Sequence, residues 1–386
     1  MPLTTWSFPT SIRVGTGAIK ILPDVCIELG IRHPLVITDQ GLASIAFVRD
    51  IVALCDDNGL AASLHSEVQG NPVGANVDNA VSAFKAGDHD GIVAVGGGSA
   101  LDVAKTVALI GRQSRDVWTL GGDKFDWSHI ADADIVAWIA VPTTAGTGSE
   151  VGRSAVITHE QSQRKIIVYH PALMAPVVIS DPQLTRDLPA HITAATGIDA
   201  FVHCFEAYCA PGYHPMAEGI ALEGMRLVAE ALPRAYDDGT DLEARCWMLT
   251  AASMGATAFQ KNLGAVHAIA HPVGALYNTH HGLTNAILLP YVMLANKEAI
   301  AERMKLLGRI LNLEKPDFDG VLQWVLQFRA RLGIPHSLKE IGVPDDGIEE
   351  IGRRAAQDPC AAGNPIPFSA QQYGAIFARA LAGTLE

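Results

Sequence analysis

Four short apolar runs in the first half of the chain each end in polar or glycine-rich residues. Leu35-Val36-Ile37-Thr38 stops at Asp39, and Gly91-Ile92-Val93-Ala94-Val95 stops at Gly96-Gly97-Gly98-Ser99. The run from Ile135 to Val141 stops at Pro142-Thr143-Thr144, and Val177-Val178-Ile179-Ser180 stops at Asp181-Pro182. Continuous apolar strands separated by helical patterns predict a parallel sheet covered on both faces. Sheets of this kind bind ligands at the carboxyl ends of their strands. Beyond about residue 188 the strand signals fade, and Ala/Leu/Met-rich stretches at 217–236, 243–259 and 297–312 read as helices. The pattern therefore predicts a Rossmann-like α/β domain over 1–187 and an all-α domain over 188–386, divided near Asp187-Leu188-Pro189. The length of 386 residues agrees, being too great for one ordinary core.

Composition narrows the function class. Hydrophobic residues make up 49% and charged residues 18%, so a large interior forms and disorder is not expected. The net charge of −13 comes with no Lys/Arg cluster, which argues against a nucleic-acid partner. None of Cys26, Cys55, Cys204, Cys209, Cys246 and Cys360 forms a CxxC pair, so reduced thiols are expected. The opening residues lack the charged and apolar regions of a signal peptide, and no run of about 18 apolar residues predicts a membrane span. Cytoplasm is the expected location.

Val95 to Lys105 reads as a strand, a glycine turn and a helix start. Gly97, Gly98 and Ser99 let backbone approach a pyrophosphate, whose charge the helix N-terminus favours. An ordinary βα turn needs only one glycine. The segment is neither the G-x-G-x-x-G fingerprint nor a Walker loop. A second polar loop, Thr143-Thr144-Ala145-Gly146-Thr147-Gly148-Ser149-Glu150, also follows a strand and could bind cofactor phosphates, ribose or carboxamide; alternatively it is a solvated loop. Asp39 can accept from an adenosine ribose hydroxyl and repel a 2′-phosphate, which favours NAD over NADP. It can equally be a helix N-cap.

The second half carries a candidate metal set. Asp199 and His203 lie four residues apart, on one face of a helix. His267, His271, His280 and His281 follow within fifteen residues. His267 and His271 are again four apart, while Pro272, Gly274 and Asn278 are expected to break the helix and fold the chain back, so that His281 or His280 meets His267. Three imidazoles and a carboxylate suit a borderline divalent ion such as Fe²⁺ or Zn²⁺. The alternative is that these histidines are separately hydrogen-bonded core residues.

With these residues in place the chain resembles the iron-containing (group III) alcohol dehydrogenases. The matching motifs are Gly96-Gly97-Gly98-Ser99 with Asp102 and Lys105, the Pro142–Glu150 loop, Asp181-Pro182 with Leu188-Pro189, Thr196-Gly197-Ile198-Asp199-Ala200 through His203 and Glu206-Ala207-Tyr208, and Gly264 through Pro272 to His281-Gly282 and Asn285. They span most of the chain in the family's order; the final ~80 residues match only loosely. The resemblance implies a dehydroquinate synthase-like architecture. It implies Asp199, His203, His267 and His281 as metal ligands, choosing His281 because the family's ligand directly precedes glycine. It implies His271, near the metal, as a proton-relay residue beside the catalytic ligands Asp199 and His267. It places Asp39, Asn71, Gly97, Gly98, Ser99, Thr143, Thr144, Thr147, Ser149 and Lys165 around NAD. Fe²⁺ is favoured, Zn²⁺ is admitted, and a homodimer or larger assembly is expected.

Two local features depart from the family pattern. Phe259-Gln260-Lys261-Asn262-Leu263-Gly264 is one residue short and carries a lysine, and Arg153 follows the Ser149 loop. A cation facing the metal would pair with an acidic substrate group; otherwise Lys261 and Arg153 are surface charges. Phe259 is a candidate substrate contact. The expected activity is NAD-dependent interconversion of a small primary alcohol and its aldehyde, with acidic substrates such as a hydroxy acid or semialdehyde included. Rival readings are a lyase of the dehydroquinate synthase type and a non-catalytic NAD- or metal-binding protein.

Overall fold

The computed structural model describes residues 6–113, 118 and 130–385. Contacts divide the chain into two units. Among the described residues, one comprises those of Phe8–Thr144 and Gly148–Asp187; the other comprises those from Leu188 onward with Ala145–Thr147, Trp6 and Ser7.

The first unit is built on a six-stranded parallel sheet of β1 (Ser11–Val14), β2 (Pro34–Asp39), β3 (Ser63–Val68), β4 (Gly91–Gly96), β5 (Ala137–Pro142) and β8 (Val177–Ser180). Their order is β1-β8-β5-β4-β2-β3. The four apolar runs read from the sequence are its central strands, and β4 is buried at every residue because neighbours cover both faces. Helices α1 (Leu22–Glu28), α2 (Ala46–Asp57), α3 (Gly74–Ala86) and α4 (Gly98–Ile110) connect them. The hairpin of β6 (Ser154–His159) and β7 (Arg164–Tyr169) forms a separate two-stranded sheet. Sequence periodicity did not reveal β1, β3 or this hairpin. The edge strand β3 carries Ser63, Ser66 and Glu67 and buries only His65 and Val68, so it lacks a continuous apolar run.

Within the second unit the described elements are all helical: α5 (Ala190–Cys209), α6 (Pro215–Asp237), α7 (Leu242–Ala258), α8 (Ala265–Tyr277), α9 (His281–Ala295), α10 (Lys297–Ile310), α11 (Phe318–Arg331), α12 (Ile348–Ala356) and α13 (Ala370–Ala382), with short 3₁₀ turns. Helix α5 is buried at every position from Thr193 to Cys209, which makes it the axis of this core.

One expectation is corrected here. Pro272 and Gly274 do not break α8, which runs on to Tyr277. Residues 265–270 and 272–274 are buried, so packing around the helix outweighs the carbonyl contact that Pro272 leaves open at Ala268. The reversal falls instead at Asn278, a left-handed residue with φ 51°. A short asparagine side chain tolerates that conformation. His280 then caps α9, its Nδ1 accepting from the Leu283 amide at 3.3 Å.

A second proline is tolerated by a different device. Pro290 lies inside α9 and cannot donate to the carbonyl of Ala286. The buried guanidinium of Arg329 on α11 donates there at 3.1 Å and to Ile287 at 2.8 Å. Burial pulls the Arg329 pKa down to about 10, so the group stays charged near neutrality.

Candidate metal centre and dinucleotide site

Three helices of the second unit bring four donors to one point. Asp199 and His203 share a face of α5, His267 comes from the first turn of α8, and His281 opens α9. One donor atom from each lies within 4.8 Å of the other three. Asp199, His203 and His267 are buried, while His281 is partly exposed. Small residues allow this approach: a Cβ on Gly282 would meet the Ala195 carbonyl at 2.5 Å, and one on Gly255 would meet His203 Cβ at 3.0 Å.

The surrounding groups fit a cation. His267 Nδ1 lies 2.6 Å from Glu206 Oε2, so its Nε2 is turned inward, 3.0 Å from His203 Nε2. Asn285 Nδ2 donates to Asp199 Oδ1 at 2.7 Å and lies 3.1 Å from Nε2 of both His267 and His281. An N–H group among these atoms requires acceptor lone pairs converging on one place, which is what a divalent ion uses. Burial lowers the His203 pKa to about 4 and keeps that imidazole neutral, the form that coordinates. The N₃O donor set matches Fe²⁺ or Zn²⁺ without separating them.

Glu206 and Asn285 are therefore part of the site. Glu206 also accepts from the Val266 amide at 2.7 Å, which fixes its carboxylate. A carboxylate behind a ligating imidazole sets its tautomer and orientation. Their sequence signal was present in the Glu206-Ala207-Tyr208 and His281-Gly282…Asn285 motifs, but not their roles.

His271 lies beside the four donors. Its ring stacks on His281 with centroids 5.6 Å apart and meets His267 edge-on at 5.9 Å. The Phe259 ring packs 5.4 Å from His203. Lys261 is buried and donates to Glu218 at 2.6 Å; Arg303 donates to the same carboxylate oxygen at 3.2 Å.

The first unit gathers the other candidates at the carboxyl ends of its strands. Asp39 closes β2 and Gly96 closes β4. A Cβ on Gly96 would lie 3.2 Å from Asp39 Oδ2, and Gly96 has φ 155°. Gly97 precedes the 13-residue helix α4, and a Cβ on it would press on Thr144 Oγ1 at 3.1 Å. The Thr143 amide donates to the Gly96 carbonyl at 3.0 Å, tying the two loops together. Gly98 and Ser99 form the first turn of α4, whose free amides suit a phosphate. Asp39 accepts from the Leu42 amide at 3.1 Å, and burial raises its pKa.

Lys165 donates to Asn71 at 3.4 Å, so this pair also meets. The Ser149 hydroxyl is occupied within the protein: it donates to Asp102 at 2.6 Å and accepts from buried Lys105 at 2.7 Å. Thr147 belongs with the helical unit. Arg153 is half-buried, and its side chain makes no hydrogen bond or ion pair among the described residues.

Comparison with known proteins covers both units. Residues 9–182 match the family described as iron-containing alcohol dehydrogenase, and residues 193–381 match the Fe-containing alcohol dehydrogenase family, C-terminal. The 4-hydroxybutyrate dehydrogenase of Cupriavidus necator is 37% identical over 373 residues, 94% of this chain and 96% of that protein. The NAD-dependent methanol dehydrogenase of Bacillus methanolicus is 31% identical, over 98% of this chain and all of that one. Among solved structures, a 1,3-propanediol oxidoreductase superposes with a TM-score of 0.92 at 30% identity, covering 98% of this chain and 100% of that one.

Proposed function

This chain belongs to the iron-containing alcohol dehydrogenase family, and from that premise we propose that it oxidises a small primary alcohol with NAD, or reduces the aldehyde, with an ω-hydroxy acid among its substrates. The observation that carries the reading is the convergence of Asp199, His203, His267 and His281. Family membership replaces the lyase and non-catalytic alternatives.

A divalent ion held by these four residues supplies Lewis acidity to the alcohol or carbonyl oxygen, and NAD supplies the hydride acceptor. The remaining work belongs to the chain. Glu206 and Asn285 hold the ligands in place, Phe259 offers an apolar wall, and His271 accepts the alcohol proton and passes it to solvent. Gly97, Gly98 and Ser99 at the start of α4 receive the pyrophosphate, with Thr143, Thr144, Thr147, Asn71 and Lys165 around the rest of the cofactor. Ser149 acts by bracing Asp102 and Lys105 beneath the loop. Asp39 binds the adenosine ribose and disfavours NADP.

We take Fe²⁺ as the native ion, a homodimer or larger assembly as the working form, and the cytoplasm as the location. Six free thiols suit a reducing compartment, and among the described residues no helix is long and apolar enough to cross a membrane.

Of the two candidate substrate cations, Lys261 is already matched by Glu218, and we propose Arg153 as the partner of a substrate carboxylate. The test is NADH formation with 4-hydroxybutyrate and with 1-butanol, after anaerobic Fe²⁺ loading and separately with Zn²⁺. Arg153→Ala should raise KM for 4-hydroxybutyrate roughly tenfold, the worth of one charge-assisted hydrogen bond, and leave 1-butanol unchanged. Equal effects on both would remove Arg153 from the substrate site. An enzyme producing no NADH from either alcohol, nor from a wider panel, would remove the proposed activity.

A further inference from the structure

The Nδ1 of His271 is held by a carboxylate, 2.8 Å from Asp358 Oδ2, as that of the ligand candidate His267 is held by Glu206, but His271 is not one of the four converging donors. The partner lies 87 residues along the chain, in the turn between α12 and α13, and both side chains are nearly buried, at 12% and 11% exposure. Asp358 opens a short 3₁₀ turn by accepting from the Cys360 amide at 2.8 Å, and that uses Oδ1 only. A cap needs one oxygen. The second oxygen is aimed at an imidazole stacked on His281.

We propose that Asp358 is a positioning residue for proton transfer: by accepting the Nδ1–H of His271 it holds the imidazole beside the metal centre with Nε2 as the free acceptor. The inference rests on reading His271 as the proton carrier. Nε2 makes no hydrogen bond among the described residues. In the oxidative direction the O–H bond of the alcohol breaks, its proton joins Nε2, and the imidazolium formed is stabilised by the Asp358 carboxylate, which stays ionised. The proton then leaves from Nε2 to water, and the original tautomer returns. Glu206 holds His267 in the same way with Nε2 turned to the other donors, whereas the Nε2 of His271 lies outside that set of four and is left for the proton. The arrangement also gives the C-terminal helices a part in the chemistry, through one side chain.

Asp358→Asn isolates the effect. The amide keeps the shape, and its oxygen still caps Cys360, but its nitrogen donates to Nδ1 and forces the proton onto Nε2. A purely structural Asp358 predicts a silent substitution. The proposal predicts that kcat falls on the order of 100-fold, the usual worth of a positioned base, while alcohol KM, NAD affinity and metal stoichiometry hold. Asp358→Glu, which keeps the carboxylate, should recover most of kcat. Independently of turnover, nitrogen-15 spectra of histidine-labelled, Zn²⁺-loaded protein should show His271 Nδ1 protonated in the parent and Nε2 protonated in Asp358→Asn, with the signals assigned by their loss in His271→Asn. Parent-like kcat in Asp358→Asn, an unchanged tautomer, or equal damage in Asp358→Glu would overturn the inference. His271→Asn separates the two readings: parent-like turnover there sinks the proton-carrier role itself, whereas a slow His271→Asn beside a fast Asp358→Asn sinks only the role of Asp358.

Discussion

At the level of single residues the metal centre depends on what stands behind the ligands as much as on the ligands. The Glu206 carboxylate takes two N–H groups at once, from His267 Nδ1 at 2.6 Å and from the Val266 amide at 2.7 Å. Glu206→Gln leaves one of these donors facing an N–H of the amide, so the imidazole loses its fixed tautomer. Metal affinity should fall roughly 10- to 100-fold, read by competition with a chelator, while the far-ultraviolet circular dichroism is unchanged. Parent-like affinity would show that His267 is oriented by packing alone. The convergence of the four candidate donors was legible in the sequence because i,i+4 spacing and a dense run of histidines are local signals. Spacing left His280 and His281 equivalent; the structure distinguishes them because the first residue of α9 points inward and the residue before it turns back to cap the helix. Asp358 was illegible, since its bond to His271 joins segments 87 residues apart and no local pattern announces it. The Lys261 reading likewise turned on a partner, Glu218, that lies 43 residues away.

At the level of elements, the prolines decide what the sequence conceals. Pro272 was expected to end α8 and does not, whereas Asn278, one of three residues assigned that task, does. The proline rule describes an isolated helix; burial on every side lets α8 continue. In α9 the cost is met by a specific group. Pro290 removes the N–H that Ala286 O would accept, and Arg329 replaces it from α11. Arg329→Met should therefore destabilise the protein by about 2 kcal/mol, the cost of an orphaned buried carbonyl, read as a lower urea midpoint. Because a neutral side chain also avoids burying a charge, the sharper measure is a double-mutant cycle with Pro290→Ala. Restoring the N–H should make Arg329 less needed, giving a coupling between the two sites of about 1 kcal/mol. Strict additivity would mean that Arg329 does not compensate for the proline. The strands followed the same logic of visibility: fully covered β4 was legible as an apolar run, and half-covered β3 was not.

For the molecule as a whole, the switch from strand to helix periodicity near residue 188 made two units legible, while the small exchange of Ala145–Thr147 into the helical unit was not, because three residues of a polar loop carry no periodic signal. The division has a consequence for how ligands stabilise the protein. All four proposed metal ligands come from α5, α8 and α9 of one unit, whereas the glycine turn before α4 and the carboxylate of Asp39 belong to the other. A ligand that binds only the closed form of a segment lowers the equilibrium population of its open form by the factor 1 + [L]/Kd, about 100-fold when the ligand is at 100 times Kd. Hydrogen exchange should therefore give two footprints. Fe²⁺ or Zn²⁺ should protect amides in α5, α8 and α9, which cannot open without releasing a ligand, and NAD should protect the first turn of α4 and the segments after β2 and β5. Removing the metal with a chelator should erase the first footprint and leave the second. Metal-induced protection centred on Gly96–Ser99, with the three ligand helices unaffected, would contradict the assignment of the ion to Asp199, His203, His267 and His281, because a site made from three helices holds those helices together before it holds anything else.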